Sequence, residues 1–488
     1  YRGGVRPVTA RRLDRARPED LLQLAVDRGG RVPMAIGALL VLDAASRVPA
    51  DTLQALLLAR SASLPRLHQR LQSTPPLGGR AVWLDAGSAA VAQCVDAMTV
   101  AGPGTSAVLS GAVPSPGAPG VDRALLDATA DLVLARLPAD RPLWRARTLV
   151  RPDGTVTALA LVAHHVVADG MGGLAVLGAL ADGPSGDPVA DAGGPGGNPC
   201  GGRADGLGGT PASGPLHERA PEPVPPWGQL ARDAWAERVA GLRRARAGAR
   251  HLAGGLDELG LRRPRLAERC SLLGATGDRR RLELATADLE VVRARAHACG
   301  ATVNDVVVTA VTGALVELLA RRGERVAELV VSVPVSLRHQ GQADTLGNAT
   351  GVVPVRVPAV PDPAVRLAAL LGQRGRIGSP GRGGSAAVLT PGFRLLAAVG
   401  AFQGFVDHQR LVHTFVTNVR GPVQRLQVAG AEVTAVVPVA VNPGNVAVSF
   451  DVLSYAGALG VTLVCDPLLV PESAELARSV TAGLTASR

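Results

Sequence analysis

Two adjacent histidines and an aspartate stand close together in the first half of the chain. The segment Ala163-His164-His165-Val166-Val167-Ala168-Asp169-Gly170 follows an apolar run. Adjacent side chains of a strand point to opposite faces, so one imidazole is expected to face the core and the other a cavity. An imidazole near its usual pKa can take a proton from an alcohol at neutral pH. The segment therefore predicts a general base, with Asp169 as an orienting charge or the ion-pair partner of an arginine.

The same segment also has a purely structural interpretation. In it, both histidines are satisfied strand residues, and the glycines serve only the backbone. Gly170 and the Gly172-Gly173 pair permit a tight turn just before a helix. A lone histidine would favour this interpretation, whereas the full H-H-x-x-x-D-G pattern between a strand and a helix favours a catalytic role.

The elements that must position this segment alternate between strands and helices. In the first half the apolar pattern predicts strands over 34–43 and 155–167, a helix from an Asp51 N-cap to Arg60, and helices over 124–137 and 171–181. In the second half it predicts helices over 227–251, 289–299 and 302–321, and strands over 281–284, 329–335, 351–357, 411–416, 433–439, 446–453 and 458–465. This alternation indicates an α/β or α+β fold.

A Gly- and Pro-rich stretch divides the chain. Residues 183–226 contain runs such as Gly193-Gly194-Pro195-Gly196-Gly197, which cannot hold a helix or a central strand. A chain of 488 residues exceeds the size of a single core, so two lobes are expected. We predict an N-terminal lobe over 1–182, a linker over 183–226 and a C-terminal lobe over 227–488.

The composition limits the function classes. The net charge is +10, and all 51 basic residues are arginine, which indicates either anionic partners or merely a solvated basic surface. The arginine clusters at 262–263 and 279–281 lack interleaved aromatics, so no nucleic-acid partner is expected. Without lysine a P-loop is excluded, and the serine-hydrolase motif G-x-S-x-G and the zinc-peptidase motif H-E-x-x-H are absent. Five scattered cysteines without a C-x-x-C predict neither disulfides nor a metal site, and they favour a cytoplasmic location.

Any membrane contact is expected to be peripheral, on the inner membrane or on lipid inclusions. The first 20 residues carry no apolar signal segment, and apolar runs such as 158–163 and 395–405 are shorter than the ~20 residues of a span. The predicted helix over 227–251 has an apolar stripe and an arginine-rich face. It either rests on an anionic lipid surface or packs across the lobes with its arginines in water. The stripe consists of Trp227, Ala231, Trp235, Val239 and Leu242.

The histidine segment resembles the signature of the CoA-dependent acyltransferase superfamily, which includes chloramphenicol acetyltransferase and peptide-synthetase condensation domains. More specifically, the whole chain resembles the bacterial wax ester synthase/diacylglycerol acyltransferase family. Thr417 and Arg420 stand where that family usually has Ser and Pro, and 8–14 is a loose counterpart of its opening L-S-x-x-D. The supporting segments are, in chain order, Arg141-Pro142-Leu143-Trp144, Asn304-Asp305, Pro334-Val335-Ser336-Leu337-Arg338, Leu346-Gly347-Asn348, Thr417-Asn418-Val419-Arg420-Gly421-Pro422 and Ser454-Tyr455-Ala456-Gly457.

The resemblance implies two chloramphenicol-acetyltransferase-like lobes with a tunnel between them and His165 midway along it. Acyl-CoA would be the co-substrate, with no bound cofactor and no metal. Diacylglycerol or a fatty alcohol would be the acceptor, making triacylglycerol or wax ester. His165 would be the general base, with His164 beside it in the motif.

The resemblance also suggests roles for residues around the histidines. Asp169 would turn away from the substrate and pair with Arg66 or Arg70, or else with Arg338, and Gly170 would support the turn. Asn304 or Asn418 would either donate a hydrogen bond to the oxyanion or act as helix cap and turn residue.

Two other functions stay open from the sequence. The first is an acyltransferase of the same superfamily that acts on a polyketide, a glycolipid or another small alcohol. The second is a non-catalytic relative that binds lipid or coats lipid inclusions, against which the intact histidine pair argues.

Overall fold

The computed structural model describes residues 13–17, 20–102, 120–182, 219–241, 265–336, 350–373, 396, 400–441 and 444–486. Strands and helices alternate in both halves, which confirms the mixed α/β class. The first half contains α1 (Asp20–Gly29), β1 (Ala35–Leu42), α2 (Ala50–Ser61), β2 (Gln69–Gln72), β3 (Val82–Asp85), α3 (Ser88–Ala92), β4 (Val95–Thr99), α4 (Arg123–Leu134), β5 (Trp144–Val150), β6 (Val156–His164) and α5 (Gly170–Leu180).

The second half begins with a helix, α6, over residues 227–241. It continues with β7 (Arg281–Asp288), α7 (Leu289–Ala298), α8 (Val303–Arg321), β8 (Glu328–Ser336), β9 (Thr350–Pro358), α9 (Pro363–Leu371), α10 (Phe402–Asp407), β10 (Thr414–Arg420), β11 (Gln427–Val428), β12 (Ala431–Ala440), β13 (Val448–Tyr455), β14 (Ala458–Cys465) and α11 (Ser473–Thr485). The predicted helix start at Asp51 is wrong by two residues, because Pro49 occupies the N-cap position.

The first sheet has the strand order β11-β12-β1-β6-β5-β4. Its central strand β1 is apolar on both faces, since helices cover both sides of the sheet. Leu39 packs in a cluster with residues of α4, and Leu40 in a cluster with residues of α2 and α5. Gly37 of β1 lies so close to β6 that an added Cβ would meet the Leu161 carbonyl oxygen at 2.5 Å. This close pairing fixes the end of β6, where the two histidines lie.

The second sheet has the strand order β7-β14-β13-β10-β8-β9. Strand β10 runs parallel to both β8 and β13, and the other pairs are antiparallel. The helix α8 is long and apolar enough to cross a bilayer. Its 19 residues make it longer than the apolar runs 158–163 and 395–405 of the sequence. However, 13 of its 19 residues are buried, and they form the core of this sheet. Its hydrophobicity therefore serves protein packing.

Strands of the second half complete the first sheet. β12 pairs antiparallel with β1 along its length, from Ile36 opposite Ala440 to Leu42 opposite Val433. Tyr455 of β13 also links the two sheets, because its hydroxyl donates to the Val433 carbonyl at 2.8 Å. The segment 227–488 therefore contributes to both sheets. The linker boundaries at 183 and 226 stay a prediction, since residues 183–218 lie outside the described part of the chain.

The helix α6 packs on the first half of the chain. Leu230 and Ala234 are buried, and Leu230 packs with Val82 and Leu84 of β3. Arg15 holds the helix by donating to Asp233 at 2.6 Å. Trp227 and Trp235 of the apolar stripe are 55% and 66% exposed, so of the two alternatives the stripe does not pack across the lobes at these tryptophans. Residues 242–251 of the predicted helix lie outside the described residues.

Candidate active site

The two histidines lie where β6 leaves the first sheet. The main-chain N–H of His164 donates to the Leu143 carbonyl at 2.9 Å, and that of His165 donates to the Met34 carbonyl at 2.8 Å. These bonds hold the end of β6 between the neighbouring strands β1 and β5. Both imidazoles are therefore carried on a rigid sheet, and their surroundings differ.

His164 is buried and neutral. Its Nδ1 accepts a hydrogen bond from the Val166 N–H at 3.1 Å, so the ring proton must be on Nε2. Nε2 lies 3.8 Å from Asp27 Oδ1. Burial lowers the pKa of His164 to about 4, although the Asp27 charge acts in the opposite direction. His164 therefore orders the turn that follows and carries no charge at neutral pH.

His165 faces a cavity between the two sheets, with a volume of about 170 Å³. The wall is formed by β1, β5, β6 and α5 on one side and by β10, β12 and β13 on the other. It is mostly aliphatic, which suits an alkyl chain. The ionisable and hydroxyl-bearing side chains in this wall are Arg145, His165, Thr417 and Asp451. The tunnel implied by the resemblance stays a prediction.

The surroundings of His165 favour a proton acceptor. Burial lowers the pKa of His165, whereas a hydrogen bond to its own main chain and the Asp169 charge act to raise it. A lowered pKa keeps the imidazole neutral at pH 7, so one ring nitrogen has a lone pair that can take up a proton. Nδ1 is buried and forms no hydrogen bond of good geometry among the described residues.

Asp169 and Gly170 form the start of α5. Asp169 is the N-cap of the helix, and its Oδ1 accepts from the Gly172 N–H at 2.8 Å. An added Cβ on Gly170 would lie 3.0 Å from Val419 Cγ2 of β10. The aspartate therefore fixes the turn after the histidines, and the glycine lets that turn approach the second sheet.

The arginines expected near Asp169 have other contacts. Arg66 lies 3.2 Å from Asp14 and stacks over the Trp83 ring at 4.2 Å, so its predicted pairing with Asp169 is wrong. Arg70 donates to Gln72 at 2.6 Å. Arg66 and Arg70 belong to the edge of the first lobe, where carboxylate, carbonyl and aromatic partners hold them. Arg338 lies outside the described residues.

The two predicted asparagines contact each other. Asn418 Nδ2 donates to Asn304 Oδ1 at 3.3 Å, which joins β10 to the first turn of α8. Neither residue is in the wall of the His165 cavity. Thr417 and Val419 face the cavity, so the strand alternation directs Asn418 to the opposite face. The pair therefore connects two elements, and the structure does not bring it to the histidine.

Two polar groups of the cavity wall, Thr417 and Asp451, were not predicted from the sequence as site residues. Thr417 was noted only as a departure from a family pattern, and Asp451 was not noted at all. Thr417 Oγ1 donates to Asp451 Oδ1 at 2.7 Å, and the Ala440 N–H donates to Asp451 Oδ2 at 2.7 Å. Burial raises the pKa of Asp451 to about 7, and the two hydrogen bonds act to lower it. A single carboxyl inside the apolar strand VSFDVLSY was the available signal.

Two family models match the chain. The wax ester synthase/diacylglycerol acyltransferase catalytic domain matches residues 110–307, and the WS/DGAT C-terminal domain matches residues 346–486. A putative diacylglycerol O-acyltransferase of Mycobacterium tuberculosis is 29% identical over 376 residues, which are 73% of this chain and 69% of the relative. A probable diacylglycerol O-acyltransferase of the same species is 28% identical over 372 residues, covering 74% and 75%.

Solved structures share the fold over almost the whole chain. The wax ester synthase/diacylglycerol acyltransferase of Marinobacter aquaeolei is 20% identical, with a TM-score of 0.61 over 97% of this chain and 98% of that one. The first condensation domain of the CDA synthetase is 17% identical, with a TM-score of 0.58 over 98% and 97%. Both likenesses support the two-lobed acyltransferase-type architecture.

Proposed function

The chain belongs to the wax ester synthase/diacylglycerol acyltransferase family, and on this premise we propose that it moves a fatty acyl group from acyl-CoA to the hydroxyl group of diacylglycerol or a long-chain alcohol. The product is triacylglycerol or wax ester. The observation that carries the proposal is the position of His165, a neutral imidazole in the wall of an aliphatic cavity between the two sheets.

His165 acts as the general base. The imidazole takes the proton of the acceptor hydroxyl while the oxygen attacks the thioester carbonyl carbon. The tetrahedral intermediate collapses with cleavage of the C–S bond, and the imidazolium returns the proton to the CoA thiolate. An ester and free CoA result. The reaction needs no bound cofactor, because the thioester is already an activated acyl group.

The positions of the neighbouring residues support this role. Asp169 caps α5 immediately after the histidine turn, and its charge acts to raise the pKa of His165. The aspartate therefore stabilises the imidazolium that forms when the proton is taken up. The aliphatic wall excludes water from the thioester and leaves the acceptor hydroxyl as the nucleophile.

Thiol release from palmitoyl-CoA tests the proposal. Wild type is incubated with dipalmitoylglycerol or hexadecanol and compared with His165→Ala. Loss of a general base is expected to lower the rate about 10²–10⁴-fold. His297→Ala is the matched control, because His297 lies exposed on α7. A His165→Ala variant with wild-type turnover would refute the role, and lipid binding without turnover in the wild type would favour a non-catalytic protein.

We also propose that the protein is cytoplasmic and reaches its lipid substrates by peripheral contact with the inner membrane or lipid inclusions. Trp227 and Trp235 expose 55% and 66% of their surface on α6, and Leu77 beside them exposes 65%. Trp227 Nε1 donates to the Pro76 carbonyl at 3.2 Å, which connects the helix to the Leu77 turn. Exposed tryptophans on a protein of net charge +10 suit the interface of an anionic bilayer.

Sedimentation with phosphatidylglycerol vesicles tests this contact. A Trp227→Ser, Trp235→Ser double variant is expected to remain in the supernatant while wild type sediments. Leu468→Ser removes another exposed apolar side chain, 85% exposed and outside this patch, and should sediment like wild type. Equal sedimentation of the double variant and wild type would exclude this surface.

A further inference from the structure

A carboxyl group and a hydroxyl group form one polar spot in the cavity wall that faces the first sheet. Thr417 of β10 and Asp451 of β13 are direct neighbours in the parallel register of these strands. Their side chains point into the cavity together with Val419 and Leu453, which follow two residues later on the same strands. His165 enters the same cavity from the first sheet.

The Asp451 carboxyl has hydrogen-bonding capacity left over. Each oxygen accepts one hydrogen bond, from Thr417 and from the Ala440 N–H. The residue is 3% exposed, and no arginine or histidine pairs with it in the described part of the chain. A carboxylate can accept about four hydrogen bonds, and a neutral carboxyl has one to donate. An ester oxygen can only accept a hydrogen bond, so it binds here by accepting the hydrogen of the neutral Asp451 carboxyl.

Few other side chains of the wall can form a hydrogen bond with such an atom. The cavity is otherwise lined mainly by aliphatic side chains, apart from Arg145 and His165. A 1-alkanol has a single oxygen, which must lie at His165 to react, and its methylenes would then cover the carboxyl. A diacylglycerol carries two ester groups within a few bonds of its free hydroxyl. It can place the hydroxyl at His165 and an ester oxygen at the polar spot.

We propose that Asp451, positioned by Thr417, binds an ester oxygen of the acceptor and so selects diacylglycerol over an unsubstituted long-chain alcohol. This inference rests on the proposed function and names the acceptor class for the same site. Leaving a buried polar group without its partner has a cost that corresponds to a preference of about 10- to 100-fold. Asp451 then determines specificity without taking part in the transfer itself.

The test is the ratio of kcat/KM for dipalmitoylglycerol to kcat/KM for hexadecanol. Both acceptors are measured on the same preparation, so a smaller folded fraction changes both values equally and leaves the ratio unaffected. Asp451→Val is expected to lower the ratio about 10- to 100-fold, mainly through KM for diacylglycerol. Asp451→Asn keeps groups that donate and accept and is expected to retain most of the wild-type ratio.

Ser449→Val is the matched control. Ser449 lies on the same strand and face as Asp451, is buried, and is not in the cavity wall, so its loss should not change the ratio. An unchanged ratio in Asp451→Val, with both acceptors used, would overturn the selection while the proposed function stands. Absence of thiol release from wild type with every acceptor would overturn the proposed function, and this inference with it.

Discussion

Asp451 is expected to make the stability of the protein depend on pH in a direction opposite to that of a salt-bridged carboxylate. The pKa of this carboxyl is raised from 3.8 to about 7 in the folded chain, because the group is buried. Between these values the unfolded chain has released a proton that the folded chain still holds. The free energy of unfolding therefore falls as the pH rises through this window, and the loss is complete above pH 7.

The size of the effect follows from the two pKa values. Their separation corresponds to about 4 kcal/mol of stability present near pH 4 and lost by pH 8. Asp451→Asn removes the titration and keeps the geometry. The amide oxygen can accept from the Ala440 N–H, and the amide nitrogen can donate to the Thr417 hydroxyl. The variant is therefore expected to gain stability relative to wild type as the pH rises, by up to about 4 kcal/mol.

Guanidinium unfolding of both proteins between pH 4.5 and 8.5, followed by tryptophan fluorescence, measures this difference. The two chains share every other titratable group, including His165 in the same cavity, so the comparison isolates residue 451. A difference in unfolding free energy that stays constant with pH would refute the reasoning. So would an asparagine variant that is less stable than wild type at pH 8.

Three further predictions concern the histidine turn and its support. The apparent pKa of the acidic limb of kcat/KM against pH should lie below 6.5, because burial lowers the pKa of His165. An apparent pKa above 6.5 for a limb that disappears in His165→Gln would contradict this prediction. Asp169→Ala should lower the free energy of unfolding by about 0.5–2 kcal/mol in denaturant titrations, and Asp169→Asn by less, since Asn also caps; equal losses would exclude the capping role. Gly37→Ala should lower both the melting temperature and the rate of thiol release, because its Cβ would meet the Leu161 carbonyl at 2.5 Å; a variant as stable and active as wild type would show that β1 can shift freely.

The local patterns were sufficient for the elements and for the histidine pair. Strands such as β14 (Ala458–Cys465) were predicted to the residue, because a short apolar run bounded by turns buries its side chains as a strand. The adjacent histidines could be assigned to opposite surroundings, since strand geometry alone separates neighbouring side chains. Their chemistry follows from residue type and spacing within eight positions of the chain.

Contacts between distant segments were not predictable in the same way. The pairing of Asp169 with Arg66 was inferred without knowledge of which carboxylate lies beside that arginine, and Asp14 occupies the place. The tryptophans of α6 form an apolar stripe, yet the helix buries Leu230 and Ala234 and leaves the tryptophans exposed. A helical pattern specifies a face, whereas its partner depends on the neighbouring surface.

The sequence by itself determined the α/β class, the acyltransferase motif and the residue suited to act as a base, because each depends on neighbours along the chain. Only the tertiary structure decided what surrounds that base. β12 and β13 are consecutive strands in the sequence, yet β12 belongs to the first sheet and β13 to the second. The cavity lies between these two sheets and is lined by residues of both strands. Thr417 and Asp451 line the same cavity as His165 through strand pairing over long sequence distances, which no local spacing encodes.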